Sequence, residues 1–192
     1  MDAIALLMEE HQIILRTLDA LDAFAAETSC GAEDKPELGR FVRFIREFAD
    51  ARHHGKEEDI LFEAMVESGF PREAGPIAVM LMDHEAGRAR LAVLRAKAEQ
   101  IAPWSEADRV EIVDAALGYT GLLRSHIMKE DSILYPMAQH RVPAQVMERV
   151  EQECAAFERK QVAAGAEDLR SLAAELVSRH VASPQRRVSA GG

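Results

Sequence analysis

Apolar residues recur at the spacing of one helix face through most of the chain, and the breaks in that rhythm mark out its elements. Ile4, Leu7, His11, Leu15, Leu18 and Ala25 keep a helical period until residues 28–36, where Gly31 and Pro36 interrupt it. A second stripe runs through Leu38, Val42, Ile45, Ala49, His53, Ile60 and Ala64 and stops at Gly69-Phe70-Pro71. The third opens near Gly75-Pro76, proline being suited to a first turn, and carries Ile77, Met80, Leu81, His84, Leu91 and Ala98 before Pro103. The fourth opens on Ser105 with Asp108 three residues on, the spacing of a capping box. Its inner stripe is Ile112, Ala115, Tyr119, His126, Ile133 and Met137.

Four long helices joined by short connections predict an all-α, antiparallel up-down four-helix bundle over residues 1–140. Pro143 then opens a helical segment with Val146, Val150, Cys154 and Phe157 in register, and Gly165 separates it from a further helix over 169–181. This C-terminal helical extension, 141–182, is expected to cap the bundle or to pair two copies as a homodimer. Residues 183–192, with Pro184, Arg186, Arg187 and two glycines, offer too little apolar surface to fold and are expected to form a disordered tail.

Composition narrows the classes of function. With 48% hydrophobic and 29% charged residues the 192-residue chain is globular, and no stretch approaches the roughly 18 apolar residues of a membrane span. The N-terminus enters its amphipathic pattern at once, with Asp2, Glu9 and Glu10 in place of a basic and then apolar leader, so a cytoplasmic location is expected. A formal charge of −10 argues against binding nucleic acid or an anionic membrane. Cys30 and Cys154 lie far apart, fit no metal-binding spacing and read as free thiols.

The candidate chemistry lies in an internal repeat. Residues 53–62 and 126–135 both fit H-x-x-K-E-x-x-I-L-aromatic; His53 and His126, Glu57 and Glu130, and His11 and His84 are each 73 positions apart. Two copies of one helical hairpin about an approximate twofold axis would bring these six residues together. Residues four apart lie one above the other on a helix, so each imidazole and carboxylate of H-x-x-x-E can reach one point. A lone inner histidine is commonly a satisfied core residue, but four of them with two carboxylates that lack an evident inner cation are better explained by metal. Six nitrogen and oxygen donors exceed one tetrahedral zinc, so two metals are expected, each with two histidines and with both glutamates bridging.

Nearby residues are read more plainly. His54 and Glu58 form a rival pair one position off, turned away from the apolar stripe, and His54 is expected in solvent or behind the ligands. Lys56 and Lys129 are expected on wet outer faces. Tyr119, two turns before His126, is a candidate hydrogen-bond donor to a bound ligand. Gly87 could leave room for that ligand, and Arg88 is expected to pair with Asp22 or another acid of the first helix.

His53-His54-Gly55-Lys56-Glu57-Glu58 followed by Ile60-Leu61-Phe62, together with the stretch from Gly75-Pro76 to Asp83-His84-Glu85, resembles the hemerythrin-like, or HHE cation-binding, family, roughly over residues 2–140. The resemblance implies a di-iron centre on His11, His53, Glu57, His84, His126 and Glu130, with an oxo bridge and a small diatomic or peroxide ligand. Unlike the invertebrate oxygen carriers of that family, the chain has Arg88 where they place a second histidine on the third helix, and Glu130 where they use aspartate. The function it implies is binding or sensing oxygen, nitric oxide or peroxide. The alternatives are a redox enzyme that decomposes peroxide or reduces nitric oxide and, behind it, an iron-handling or metal-stapled interaction module.

Overall fold

A computed structural model describes residues 2–163 and 169–181, and every element among them is helical. Helix α1 is Ala3–Ser29, capped by the Asp2 carboxylate, which accepts from the Ile4 and Ala5 amides. Helix α2 covers 35–67 and is wound in four successive stretches, Lys35–Phe44, Ile45–His54, Glu57–Leu61 and Phe62–Glu67. Helix α3 is Gly75–Glu99, with Pro76 in its first turn. Helix α4 covers 106–141 and starts at a reciprocal Ser105–Asp108 capping box, as the sequence predicts. Helices α5, Ala144–Ala163, and α6, Leu169–His180, follow.

The first four helices close a ring in which α1 packs on α4, α4 on α3, α3 on α2, and α2 back on α1. This is the predicted bundle. Helix α5 lies against the start of α1 and the second half of α2, and α6 lies along α1 and the start of α2. Their apolar faces, Val150 and Cys154 on α5 and Leu169, Ala173 and Leu176 on α6, are buried within the bundle's own two cores, so they cover it in the way a cap does. The expected tail, 183–192, lies outside the described residues. None of the described helices is long and apolar enough to cross a membrane, and both cysteines are free thiols.

Two apolar cores occupy the two ends of the bundle. One gathers Phe24, Phe41, Phe48, Leu94, Trp104 and Ile112; the other gathers Ile4, Leu7, Phe62, Met65, Phe70 and Leu134. Between them lies a buried polar belt of His11, His53, His54, Glu57, His84, His126 and Glu130. Such groups are heavily penalised in a dry interior unless something compensates them, so the belt requires its own account.

Three stretches of the helices flanking this belt are wound more widely than an α-helix. Gly55 N–H reaches the carbonyl of Asp50, Phe62 N–H that of Glu57, and Tyr135 N–H that of Glu130, each five residues back. A wide turn inserts one extra residue and delays the helical phase by about one position, roughly 100°. Two of the turns are themselves related by the 73-residue repeat. The delay corrects one predicted core position: Ile133 is half-exposed, while Leu134 and Tyr135 are buried in its place.

Candidate metal centre

The six residues singled out by the repeat meet in the belt, and a seventh joins them. His54 is buried and not solvated, because the wide winding of Ile45–His54 turns both adjacent histidines inward. The donors form two groups, His54, Glu57, His84 and His126 on one side and His11, His53, Glu57 and Glu130 on the other. Within each group the donor atoms lie within 4.8 Å of one another. Glu57 belongs to both. Glu130 also spans them, with Oε1 3.1 Å from His126 Nε2 and Oε2 3.2 Å from His11 Nε2. Glu57 Oε2 stands 3.5 Å from His84 Nε2 and 3.8 Å from His53 Nε2.

Every imidazole is held from behind by a carboxylate at Nδ1. His53 meets Glu10 at 2.9 Å, His84 meets Glu58 at 2.6 Å, His11 meets Asp131 at 2.7 Å, His54 meets Asp50 at 3.3 Å, and His126 meets Asp83 at 3.4 Å. A carboxylate can only accept, so each Nδ1 carries a proton, and in its neutral form each ring turns the Nε2 lone pair inward, the arrangement of carboxylate–histidine–metal triads. These outer acids follow the repeat as well, since Glu10 and Asp83, and Glu58 and Asp131, are again 73 apart. The links run α1 to α2, α2 to α3, α3 to α4 and α4 to α1, closing the ring that the backbone packing makes.

Lys56 and Lys129 belong to this outer ring, which corrects their assignment to wet faces. Lys56 is fully buried and donates to Glu10 and, at 2.7 Å, to Glu158; Lys129 donates to Asp83. Arg88 pairs with Asp50 and Glu58 of α2, each at 2.8 and 2.7 Å respectively, and with Glu85, not with an acid of α1; Asp22 is taken by Arg124 and Thr120. Arg88 therefore ties together the acids behind His54 and His84.

The inner atoms are unsatisfied without a cation. His84 Nε2 and His126 Nε2 face each other at 3.1 Å although both rings spend their proton on the outer acid. His53 Nε2, His54 Nε2, Glu57 Oε2 and both Glu130 oxygens find no hydrogen-bond partner among the described residues. The short Glu130–imidazole separations thus reflect atoms aimed at common points. Ligands about 2.1 Å from one metal at right angles stand about 3 Å apart, which is the spacing seen.

Protonation follows the same electrostatics. Burial and the Glu130 charge push Glu57 well above the usual carboxylate range. At Glu130 burial opposes ionisation, but the His11 and His126 imidazoles overcome it and hold the group well below that range. Burial also opposes charge on His11, yet Asp131 and Glu130 raise it to about 9. Burial lowers His53 to about 4 against the pull of Glu10, and His54 to about 3 against Asp50.

Tyr135 supplies a phenol that the sequence reading passed over. Its O–H donates to Glu57 Oε1 at 2.5 Å and stands 3.4 Å from His11 Nε2, with its ring stacked on His11. On an uninterrupted α-helix, nine residues place it opposite His126; the wide turn Glu130–Leu134 brings it in. Tyr119, the candidate from spacing, is buried with its ring 3.4 Å from where a Cβ on Gly87 would stand. Tyr119, Gly87 and Arg88 line one small cavity with His54 and His84, with about 10 Å³ of free space, room for about one water-sized molecule.

The fold and site define the class: an all-helical bundle whose buried His and Glu groups could hold a metal ion. The family model of the hemerythrin HHE cation-binding domain matches residues 2–138, and the chain belongs to that family. No curated protein and no solved structure matches it significantly.

Proposed function

We propose that the belt holds two iron ions and that the protein binds a small oxygen-type ligand there: oxygen, nitric oxide or peroxide. The observation that carries this reading is the convergence of five imidazole Nε2 atoms and two carboxylates, each imidazole already committed at Nδ1 to an outer acid. His54, His84 and His126 would hold one ion, His11 and His53 the other, with Glu57 and Glu130 shared. The His11–His53 side offers two imidazoles against three on the other, so an ion held there would keep more room for a further ligand.

The protein's own groups then orient and screen. The outer acids fix each ring, and the two apolar cores exclude bulk water. Tyr135 holds a hydrogen bond at Glu57 Oε1 on the two-imidazole side. The cavity bounded by Tyr119, Gly87 and Arg88 lies on the three-imidazole side, beside His54 and His84, with room for about one water-sized molecule. A second reading, turnover of peroxide or nitric oxide, is favoured by Tyr135, because its O–H is a proton donor within the donor cluster.

Elemental analysis of anaerobically purified protein, with absorption spectra before and after air, peroxide and nitric oxide, tests both. About two irons per chain with bands that change on ligand addition and return on its removal are expected for the binding reading. Steady consumption of peroxide or nitric oxide favours the enzyme. One metal, zinc, or none would overturn the di-iron assignment.

A further inference from the structure

The segment beyond the family domain reaches the centre from outside. Helix α5 crosses α2 at the turn that carries His53 and Glu57. Phe157 covers Gly55, where a Cβ would stand 3.7 Å from the Phe157 ring. The neighbouring Glu158 accepts from Lys56 Nζ at 2.7 Å and from Arg52 Nε at 3.0 Å. Lys56 donates in turn to Glu10, whose other oxygen accepts from His53 Nδ1. An unbroken polar path thus runs from α5 through α2 and α1 to an inner imidazole.

The second half of the repeat shows what this adds. There, among the described residues, Asp83 and Lys129 serve His126 alone, Lys129 stays partly exposed, and Arg52's counterpart is Ser125. One anion balances one cation. In the first half Arg52 lies 4.0 Å from Glu10 Oε1, so Glu10 faces two cations in a low-dielectric setting. Two cations drawing on Glu10 would weaken its hold on the His53 N–H and the basicity of that ring. Glu158 offers a negative charge to both Lys56 and Arg52 and so leaves Glu10 freer to serve His53.

We propose that Glu158 is a positioning residue for His53, acting through Lys56 and Glu10, so that docking of α5 and metal held on the His11–His53 side are coupled. This rests on the metal reading above. Because linkage is reciprocal, a helix whose docking strengthens metal binding is itself held more firmly when metal is bound. The C-terminal extension would then report the state of the centre at the surface.

The test loads the full chain anaerobically with ferrous iron and follows its release to a chelator, alongside hydrogen–deuterium exchange across residues 150–160. Wild type is compared with Glu158→Gln and with Glu153→Gln, an exposed position on the same helix. In Glu158→Gln one of the two irons is expected to leave about fivefold faster and the other at the wild-type rate, with Glu153→Gln unchanged. Iron loading is expected to slow α5 exchange in wild type and not in Glu158→Gln; the wild-type comparison needs no variant to fold. Unchanged release with α5 exchange indifferent to iron would overturn the coupling while leaving the metal site standing. Equal acceleration of both irons would also overturn it, as general loosening. A wild-type protein that takes up no iron would remove the metal reading and this one with it.

Discussion

At the scale of single residues, Tyr135 and Tyr119 separate two jobs that spacing alone could not. The Tyr135 hydroxyl donates to Glu57 Oε1, whereas among the described residues Tyr119 makes no hydrogen bond and bounds a cavity. Tyr135→Phe is therefore expected to keep the metal count but weaken affinity on the two-imidazole side about tenfold and shift the absorption bands. Tyr119→Phe is expected to leave both unchanged. Titration of each metal-free variant with ferrous iron checks this, and equal effects would assign the phenols wrongly. The four repeat-paired histidines and two glutamates were legible because a common offset distinguishes them from chance. His54 was not, since its partner 73 positions on is Ile127, and symmetry gives no hint of it.

At the scale of elements, what was readable was the α-helix and its ends. Ser105 and Asp108 were visible as a cap because the motif is local and its chemistry needs only those two side chains. Ser105→Ala is expected to cost about 1 kcal/mol, read as a lowered Tm, with metal content unchanged because the cap lies at the far end of α4 from Glu130. The wide turns escaped, because the periodicity of a stripe assumes 100° per residue, and a single inserted residue alters every position after it. Lys56 escaped for a different reason: its exposure depends on α5, about a hundred residues further on.

At the scale of the whole molecule, the polar belt sets the stability of the protein without metal. His53 and His54 have native values of about 4 and 3 and an ordinary value of 6.5, so between them the unfolded chain binds more protons and stability rises with pH up to about 6.5. His11 is the reverse: raised to about 9, its stabilising contribution is complete below 6.5 and lost as pH climbs through 9. Glu57, raised well above its ordinary 4.5, adds to the loss with rising pH. The Tm of metal-free protein is expected to peak near pH 6.5 and fall on both sides, in a calorimetric series. Added ferrous iron is expected to raise Tm in a concentration-dependent way and to flatten the alkaline fall, because metal replaces the protons on these donors. The sequence by itself determined the bundle, the Ser105 cap and the meeting of the six paired residues, because these follow from local periodicity and from a repeat that any register must respect. Only the tertiary structure decided that His54 and Tyr135 turn inward, that each of the five belt imidazoles has an acid behind it, and that α5 joins the ring through Glu158. Those depend on helical phase and on contacts between segments far apart in the chain, which no local pattern encodes.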